Sequence, residues 1–502
     1  MTWVECREFD ARRLFCQGRQ VIMVAAWVTT ELVSLKLGDK RRERRAGVMI
    51  DQLAQICESQ PEAAKSRAAL KANYRFIHHP ENSPEAILDA HNQASIQRTA
   101  EHDDVVLVQD TSVIDLTKPN RQVQGAGPLE SDDKRGVFLH PLYAMTEAGL
   151  PLGIVDQVIW TRDKINTDLT KSEKQRLRKQ AAFEEKESSR WLEMFQSGEQ
   201  IARANPATNY TVVGDSESDI CEIFAEVGDL PENCHFVVRG CQNRAVVDGG
   251  DAANVDEALA AAEIQFTCQV NMSERVSKIA GETRPRRKSR SARVAEIGVR
   301  ARQLTIRGPA RPGGKLPDMT LNVVEAVELD PPAGEEPIRW LLFTTLSIDS
   351  IAQIQRVISA YSIRWNIELY FKTLKSGLKI EKLKYETLDR YLTALSLLMI
   401  VGWRVEYLKG AARHDPDASC EKYFSCAEWQ PAYLVHTDGG ALPSEPITIS
   451  EFMLLIAELG GWQRKKSQGP PGSMTIWRGM RRMEAYADAF QAFQKTKLRC
   501  GG

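Results

Sequence analysis

The chain has 502 residues with 66 Lys+Arg against 67 Asp+Glu, a formal net charge of -1, and is 43% hydrophobic and 26% charged. That balance excludes a polybasic tail protein and an acidic disordered chain, and the length predicts about two to four domains. It leaves room for a nucleic-acid enzyme whose charges are segregated along the chain. The ten cysteines include no CxxC, and no histidine stands at zinc-finger distance from the closest pairs, Cys234/Cys241 and Cys420/Cys426. A reduced protein without structural zinc is expected, and with no HExxH any metal should be bound by oxygen. The longest apolar run, Leu395 to Trp403, falls far short of the roughly 20 residues a bilayer needs, and Glu5, Glu8 and Asp10 spoil a signal peptide. The expectation is a soluble, cytoplasmic chain with no membrane partner and no nucleotide cofactor.

Residues 31–104 show apolar positions at three- and four-residue steps (Val48, Leu53, Ile56, Phe76, Ile77) behind a basic cluster from Lys40 to Arg45, which predicts a small basic helical module. Val105 to Val108, Val137 to Met145 and Leu150 to Trp160 then read as a three-stranded meander punctuated by Gly and Pro. A helix over Ser172 to Ala204, a strand over Tyr210 to Val213, a helix over Ser216 to Val227 and a strand over His235 to Arg239 complete an α/β core. Between about 245 and 345 the strands Ile264 to Val270, Gln303 to Arg307, Thr320 to Leu329 and Ile338 to Thr345 suggest an inserted β domain. Helical periodicity returns over Ile351 to Lys409 and again over about 448–495, broken at Gly469-Pro470-Pro471-Gly472. The expected divisions are 1–30, 31–100, 101–244, 245–345, 346–414 and 415–502.

Charge is unevenly distributed. Arg284 to Arg311 holds ten Lys/Arg and one acid, Lys36 to Arg45 six basic and two acidic residues, and Arg464 to Arg482 six Lys/Arg and no acid. Gly214 to Glu232 holds seven acids and no internal counter-charge. Basic patches in separate modules suit tracking a phosphate backbone, although a solvated surface is the ordinary fate of one charge run.

Two strands end on a carboxylate: Val105-Val106-Leu107-Val108-Gln109-Asp110 and Thr211-Val212-Val213-Gly214-Asp215. Ligands bind at that edge of an α/β sheet, so acids on neighbouring strands would converge. The competing reading is a turn or helix cap, which suits Asp215. Downstream, Tyr361, Arg364, Glu368 and Lys375 stand at offsets that place them on one narrow stripe of a single helix, at about 100° per residue. A plain ladder of Arg364, Glu368 and Lys372 ion pairs would not require Tyr361 and Trp365 beside it. Three carboxylates without histidine are a ligand set for Mg²⁺, and two such ions about 4 Å apart would serve an in-line displacement at phosphorus. Without metal, these acids should repel and raise one another's pKa.

The helix pattern Tyr361-x-x-Arg364-x-x-x-Glu368-x6-Lys375 resembles the Tyr-Arg-Glu-Lys motif of DDE transposases in the "four" family of bacterial insertion sequences, most similar to the cut-and-paste transposon-five type. Leu37-Gly38-Asp39-Lys40-Arg41-Arg42, Tyr74-Arg75-Phe76-Ile77, Glu185-Lys186-Glu187-Ser188 with Trp191, Phe236-Val237-Val238-Arg239 and Trp340-Leu341-Leu342 extend the similarity over about residues 30–495. The resemblance implies an RNase H-like core with a β-rich insertion, flanked by an N-terminal helical DNA-binding domain and a C-terminal helical dimerisation region. It implies Asp110, Asp215 and Glu368 as catalytic and metal-binding, with two Mg²⁺ ions and Mn²⁺ tolerated, and Tyr361, Arg364 and Lys375 as phosphate-binding. It adds Arg239 and Trp340 as DNA-contact candidates, beside Lys40, Arg41, Arg42, Arg45, Arg286 and Arg287 of the basic windows and Trp365 as a flat stacking surface. Trp340 is the one to stack on a flipped base, although core packing explains it almost equally well.

The implied partners are double-stranded DNA, as transposon terminal inverted repeats and as target, and a second copy of the chain in the synaptic complex. The implied activity is cleavage at transposon ends, hairpin formation and strand transfer in a bacterial cytoplasm. The alternatives are a catalytically silent end-binding inhibitor and a nuclease that stops at hydrolysis. Ser216 stands where the family relative carries Arg, which puts a DNA contact there in doubt. Residues 1–22 match nothing in the family, and Met23 is the expected start.

Overall fold

The computed structural model describes residues 24–55, 64, 66–118, 122–131, 133–163, 170, 172–173, 176–177, 181–247, 250, 252–274, 290–311 and 314–500. The expected extension 1–22, Arg286, Arg287 and much of the helix expected from Ser172 lie outside these. Among the described residues the N-terminal module forms four helices, α1 (Ala26–Glu31), α2 (Lys40–Gln55), α3 (Arg67–Ile77) and α4 (Pro84–Thr99). Their starts are written locally: Ser66 and Ser83 each accept a hydrogen bond from the backbone N–H three residues on, and Pro84 fills the first turn of α4.

The catalytic-type core is a sheet whose centre is β1 (Asp104–Gln109), with β4 (Arg135–Thr146) and β5 (Pro151–Trp160) antiparallel on one side. Two parallel strands lie on the other side, β6 (Asn209–Gly214) and β7 (Cys234–Arg239), reached through α5 (Ser189–Ala204) and α6 (Cys221–Ala225). The order β5-β4-β1-β6-β7, three antiparallel strands followed by two parallel ones, is the RNase H-like arrangement. The short strands β2 (Ser112–Asp115) and β3 (Gly127–Pro128) pair along the outer part of β4.

Both faces of the sheet are covered, so its strands read as continuous apolar runs. Val106, Val108, Val213 and Val237 belong to the core packed under the C-terminal helices, while Val105, Leu107, Val212 and Phe236 pack with Trp191 and Phe195 of α5. The β-rich insertion does not close a sheet of its own. After α7 (Val255–Ala260) come β8 (Phe266–Met272), β9 (Arg293–Ile306), the small pair β10 (Ala310–Arg311) and β11 (Gly314–Lys315), β12 (Met319–Glu328) and β13 (Arg339–Thr344). Strand β13 pairs with β7, Leu342 opposite Arg239, so the insertion extends the central sheet.

The expected continuous helix from Ile351 is several pieces: α8 (Ile351–Ile363), α9 (Trp365–Lys372), a π turn at Thr373–Gly377, and, after a left-handed Lys379, α10 (Leu388–His414). By length and composition α10 could cross a membrane, contrary to the short apolar run read from the sequence, yet 89% of its apolar stretch is buried within the protein. It is the central core helix, contacting α2, α4 and β5. The C-terminal region adds α11 (Cys426–His436), α12 (Ile449–Leu459) and α13 (Ser473–Cys500). Helix α11 was not expected, although its capping box of Ser425 and Glu428 is a sequence signal.

Candidate active site

Val108 of β1 is level with Val213 of the parallel β6. Asp110 and Asp215, each two residues further on, therefore leave the sheet side by side, strands being about 4.8 Å apart. The two-residue alternation puts both on the face of Val106, Val108 and Val213, toward α8 and α9. The cap reading of Asp215 also holds: its Oδ1 accepts from Glu217 N at 2.7 Å, and a single turn of 3₁₀ helix follows at Ser216–Ser218. Gly214 permits this turn, because a Cβ there would run into Ser218 Oγ and Cβ.

Arg364 sits at the junction of α8 and α9 and brings the third acid to the pair. Its Nη1 donates to Asp110 Oδ2 at 2.7 Å and its Nη2 to Glu368 Oε1 at 3.0 Å. One half of the competing surface ladder, Arg364 with Glu368, exists, but the Arg364 side chain is only 13% exposed and also reaches across the fold to β1. Burial opposes its charge, and Asp110, Tyr361, Asp215 and Glu368 nevertheless raise its pKa. Asp110 is pushed up to about 7, first by burial and then by Asp215, with Arg364 pulling the other way. The repulsion expected among the acids is present, but desolvation exceeds it.

Tyr361 is buried beneath this guanidinium, with the Arg364 Cζ 5.9 Å from its ring centre, and Trp340 of β13 meets Tyr361 edge-on at 5.2 Å. Trp340 is therefore a packing residue, one ring removed from the Arg364 guanidinium. Lys375 does not continue the straight stripe, because the π turn re-aims it. Burial lowers its pKa, while Glu381 and Asp115 support the charge. Trp365 is 59% exposed, one residue from Arg364. Arg239 stands at the end of β7, next to β6, which Asp215 follows.

Sequence reading missed a buried support behind Asp110. His140 Nε2 faces Gln109 Oε1 at 3.1 Å and its Nδ1 faces Thr111 Oγ1 at 2.7 Å. Gln109 Oε1 can only accept, so Nε2 carries the hydrogen and Nδ1 accepts from the Thr111 hydroxyl. Burial, then Arg190, lowers the His140 pKa to about 3, so the ring is neutral. Across the sheet from Arg364, a cavity of about 340 Å³ is lined by Thr111, Trp160, Arg162, Glu187, Trp191 and Glu217 among others. The motif residue Glu187 there grips Arg162.

The basic windows are more neutralised than the sequence suggested. Lys40 and Arg41 side chains are about nine-tenths exposed, at 90% and 89%, but pair with Glu43 and Asp39. Arg42 is tethered to Glu81 and His79, and Arg45 is half-buried with its pKa lowered by desolvation. In the insertion Arg293 binds Glu328 and Glu335, Arg300 binds Glu325, and Arg311 binds Glu222. The acidic stretch accordingly finds counter-charges outside its own window: Asp219 pairs with Arg244 and Glu222 with Arg311.

The carboxylates of Asp110, Asp215 and Glu368 are a hard-oxygen donor set, and a divalent cation would favour the charged form of Asp110 that burial and Asp215 oppose. The residues fit such an ion in chemistry. Among the described residues no three acids converge closely enough to hold one as they stand, since Arg364 lies between Asp110 and Glu368.

Three family models match the chain: Transposase DNA-binding over residues 24–81, Transposase DDE domain over 194–401 and Transposase Tn5 dimerisation domain over 400–495. Among solved structures, a piggyBac transposase synaptic complex with hairpin DNA is similar at 10% identity and a TM-score of 0.37, over 92% of this chain and 81% of that one, too loose a likeness to bear on mechanism. A DNA-binding module, an RNase H-like core and a dimerisation region in this order make the chain a DDE transposase of the Tn5-like kind, a metal-dependent enzyme that cleaves DNA and transfers its strands.

Proposed function

We propose that this transposase moves its element by cut-and-paste, with Asp110, Asp215 and Glu368 as the metal-binding triad. The observation that carries the reading is Arg364 joining Asp110 and Glu368 beside the in-register Asp215. Two Mg²⁺ ions held by these oxygens would supply Lewis-acid activation of water and stabilisation of the leaving oxygen. Arg364, with its fork of donors now on Asp110 and Glu368, would be available to a DNA phosphate once those carboxylates were otherwise neutralised. Tyr361 and Lys375 contribute a hydroxyl and a cation to the same phosphate, and exposed Trp365 provides a flat surface for an unstacked base.

On this reading the Asp-Asp-Glu side chains orient water to cut one strand at the terminal inverted repeat. The freed 3′-OH then attacks the opposite strand to give a hairpin, and after reopening it attacks target DNA. Two protomers hold the two ends, with dimerisation through the region matched at 400–495. The basic face of α2, through Lys40 and Arg41, and Arg239 and Trp340 near the site are the further proposed DNA contacts.

The test uses the full chain and a plasmid carrying the DNA that flanks its reading frame. Wild type should give Mg²⁺-dependent hairpins and strand-transfer products. Alanine at Asp110, Asp215 or Glu368 should abolish cutting while end binding persists. End binding without any cutting by wild type would favour the silent inhibitor, hydrolysis without transfer would favour a nuclease, and undiminished cutting in chelator would overturn the metal assignment.

A further inference from the structure

The acid that follows Asp215 by one turn is fully buried, and its partners come from another loop. Asp219 is 0% exposed at its side chain and Arg244 10%. Asp219 Oδ2 accepts from Cys241 N at 2.8 Å and Gln242 N at 2.9 Å, and Oδ1 accepts from Arg244 Nε at 3.0 Å and from Nη2. Arg244 Nη2 also donates to the Asp219 carbonyl at 2.8 Å, and the guanidinium lies 5.1 Å from the Phe224 ring centre. Both carboxylate oxygens are thus doubly bonded.

Burying an ion pair is costly, and it seldom adds net stability over an apolar replacement. What this pair does is geometric. Gly214 is level with Val238, so Asp215 and Arg239 leave adjacent parallel strands side by side. The turn that carries Asp215 closes on itself through Ser218, whose hydroxyl donates to the Asp215 carbonyl at 2.6 Å. Asp219 ends that turn and grips the segment that leaves β7 just past Arg239. The two loops are locked as one unit at the sheet edge where the acids gather.

We propose that Asp219 and Arg244 are positioning residues for catalysis: their clamp fixes the Asp215 carboxylate, and Arg239 beside it, in the orientation that metal binding needs. The inference rests on the reading of Asp215 as a metal ligand. Neither residue touches metal or DNA; they act through the turn, as outer partners of metal ligands do. Asn at 219 retains an acceptor for the backbone N–H groups but loses the charge that holds the guanidinium. Lys at 244 retains the charge but loses the fork.

The experiment titrates Mg²⁺ in end cleavage by full-length wild type, Asp219→Asn, Arg244→Lys and Arg244→Gln, with thermal melts and end binding in chelator alongside. The expected result is a Mg²⁺ midpoint raised about 10- to 100-fold in Asp219→Asn and Arg244→Gln. Arg244→Lys should fall between them and wild type, and end binding should stay within about twofold. An unchanged midpoint in folded variants overturns the proposal, as does lost cleavage that follows a lowered melting temperature at constant midpoint. If Asp219→Asn does not fold, the two Arg244 variants decide. Asp215→Ala separates the levels: cutting by that variant defeats the ligand reading itself, whereas a dead Asp215→Ala beside a normal Asp219→Asn defeats only the clamp.

Discussion

Arg364 Nη1 lies 2.7 Å from Asp110 Oδ2, joining residues 254 positions apart in sequence. The same guanidinium holds Glu368, so one cation organises two of the three acids before any metal arrives.

Arg364→Ala should therefore act on both the protein and the reaction. Removing one partner of a buried pair leaves Asp110 uncompensated, and its pKa should climb further above 7. Single-turnover cleavage should drop at least about 100-fold at saturating Mg²⁺, with Arg364→Lys restoring only part of it. Cleavage within about twofold of wild type would show that the bridge is incidental.

His140 gives a pH signature. Its folded pKa of about 3 lies below its ordinary value of 6.5. The unfolded chain binds the extra proton between those values, so this contribution is fully present above about pH 6.5 and declines as pH falls toward 3, by up to about 1.4 kcal/mol per pH unit. His140→Gln should melt below wild type at pH 7.5, with the gap narrowing steadily toward pH 5. A gap that does not change with pH would mean His140 is not held neutral.

Trp365 and Trp340 should separate surface from packing roles. Trp365 is 59% exposed, so Trp365→Ala should change stability by no more than about 0.5 kcal/mol while weakening hairpin formation. Trp340 packs on Tyr361 at 5.2 Å, so Trp340→Ala should lower the melting temperature and cleavage together. Equal melting temperatures for the two variants would contradict this division.

The C-terminal helices cross at glycine. A Cβ on Gly479 of α13 would collide with the backbone carbonyl of Ile456 in α12. Gly479→Ala, normally favourable inside a helix, should here destabilise the region by about 1–3 kcal/mol or more and reduce dimer formation. Differential scanning calorimetry and sedimentation of the DNA complex would register both; a raised melting temperature would refute the close approach.

Much of this molecule is legible locally. Continuous apolar runs leading to Asp110 and Asp215 give the strands, and Ser66, Ser83 and Ser350 announce helix starts through side-chain acceptors. The spacing of Tyr361, Arg364 and Glu368 marks the chemistry, because near neighbours on a helix need only sequence to be related. What the sequence could not decide depends on partners far along the chain. Periodicity runs unbroken through Arg364, yet the helix divides there and turns π before Lys375. Strand patterns in the insertion do not say that β13 will pair with β7 and extend the central sheet.

Charge shows the difference most clearly. Counts along the chain set a basic window against an acidic one, but Arg311 meets Glu222 and Arg244 meets Asp219 only after folding. Composition and spacing determined which groups exist and which strands and helices carry them. Tertiary structure decided which charges cancel, which acids share one edge and which cation stands between them, because Coulomb interaction and desolvation depend on distance in space and not on position in the chain.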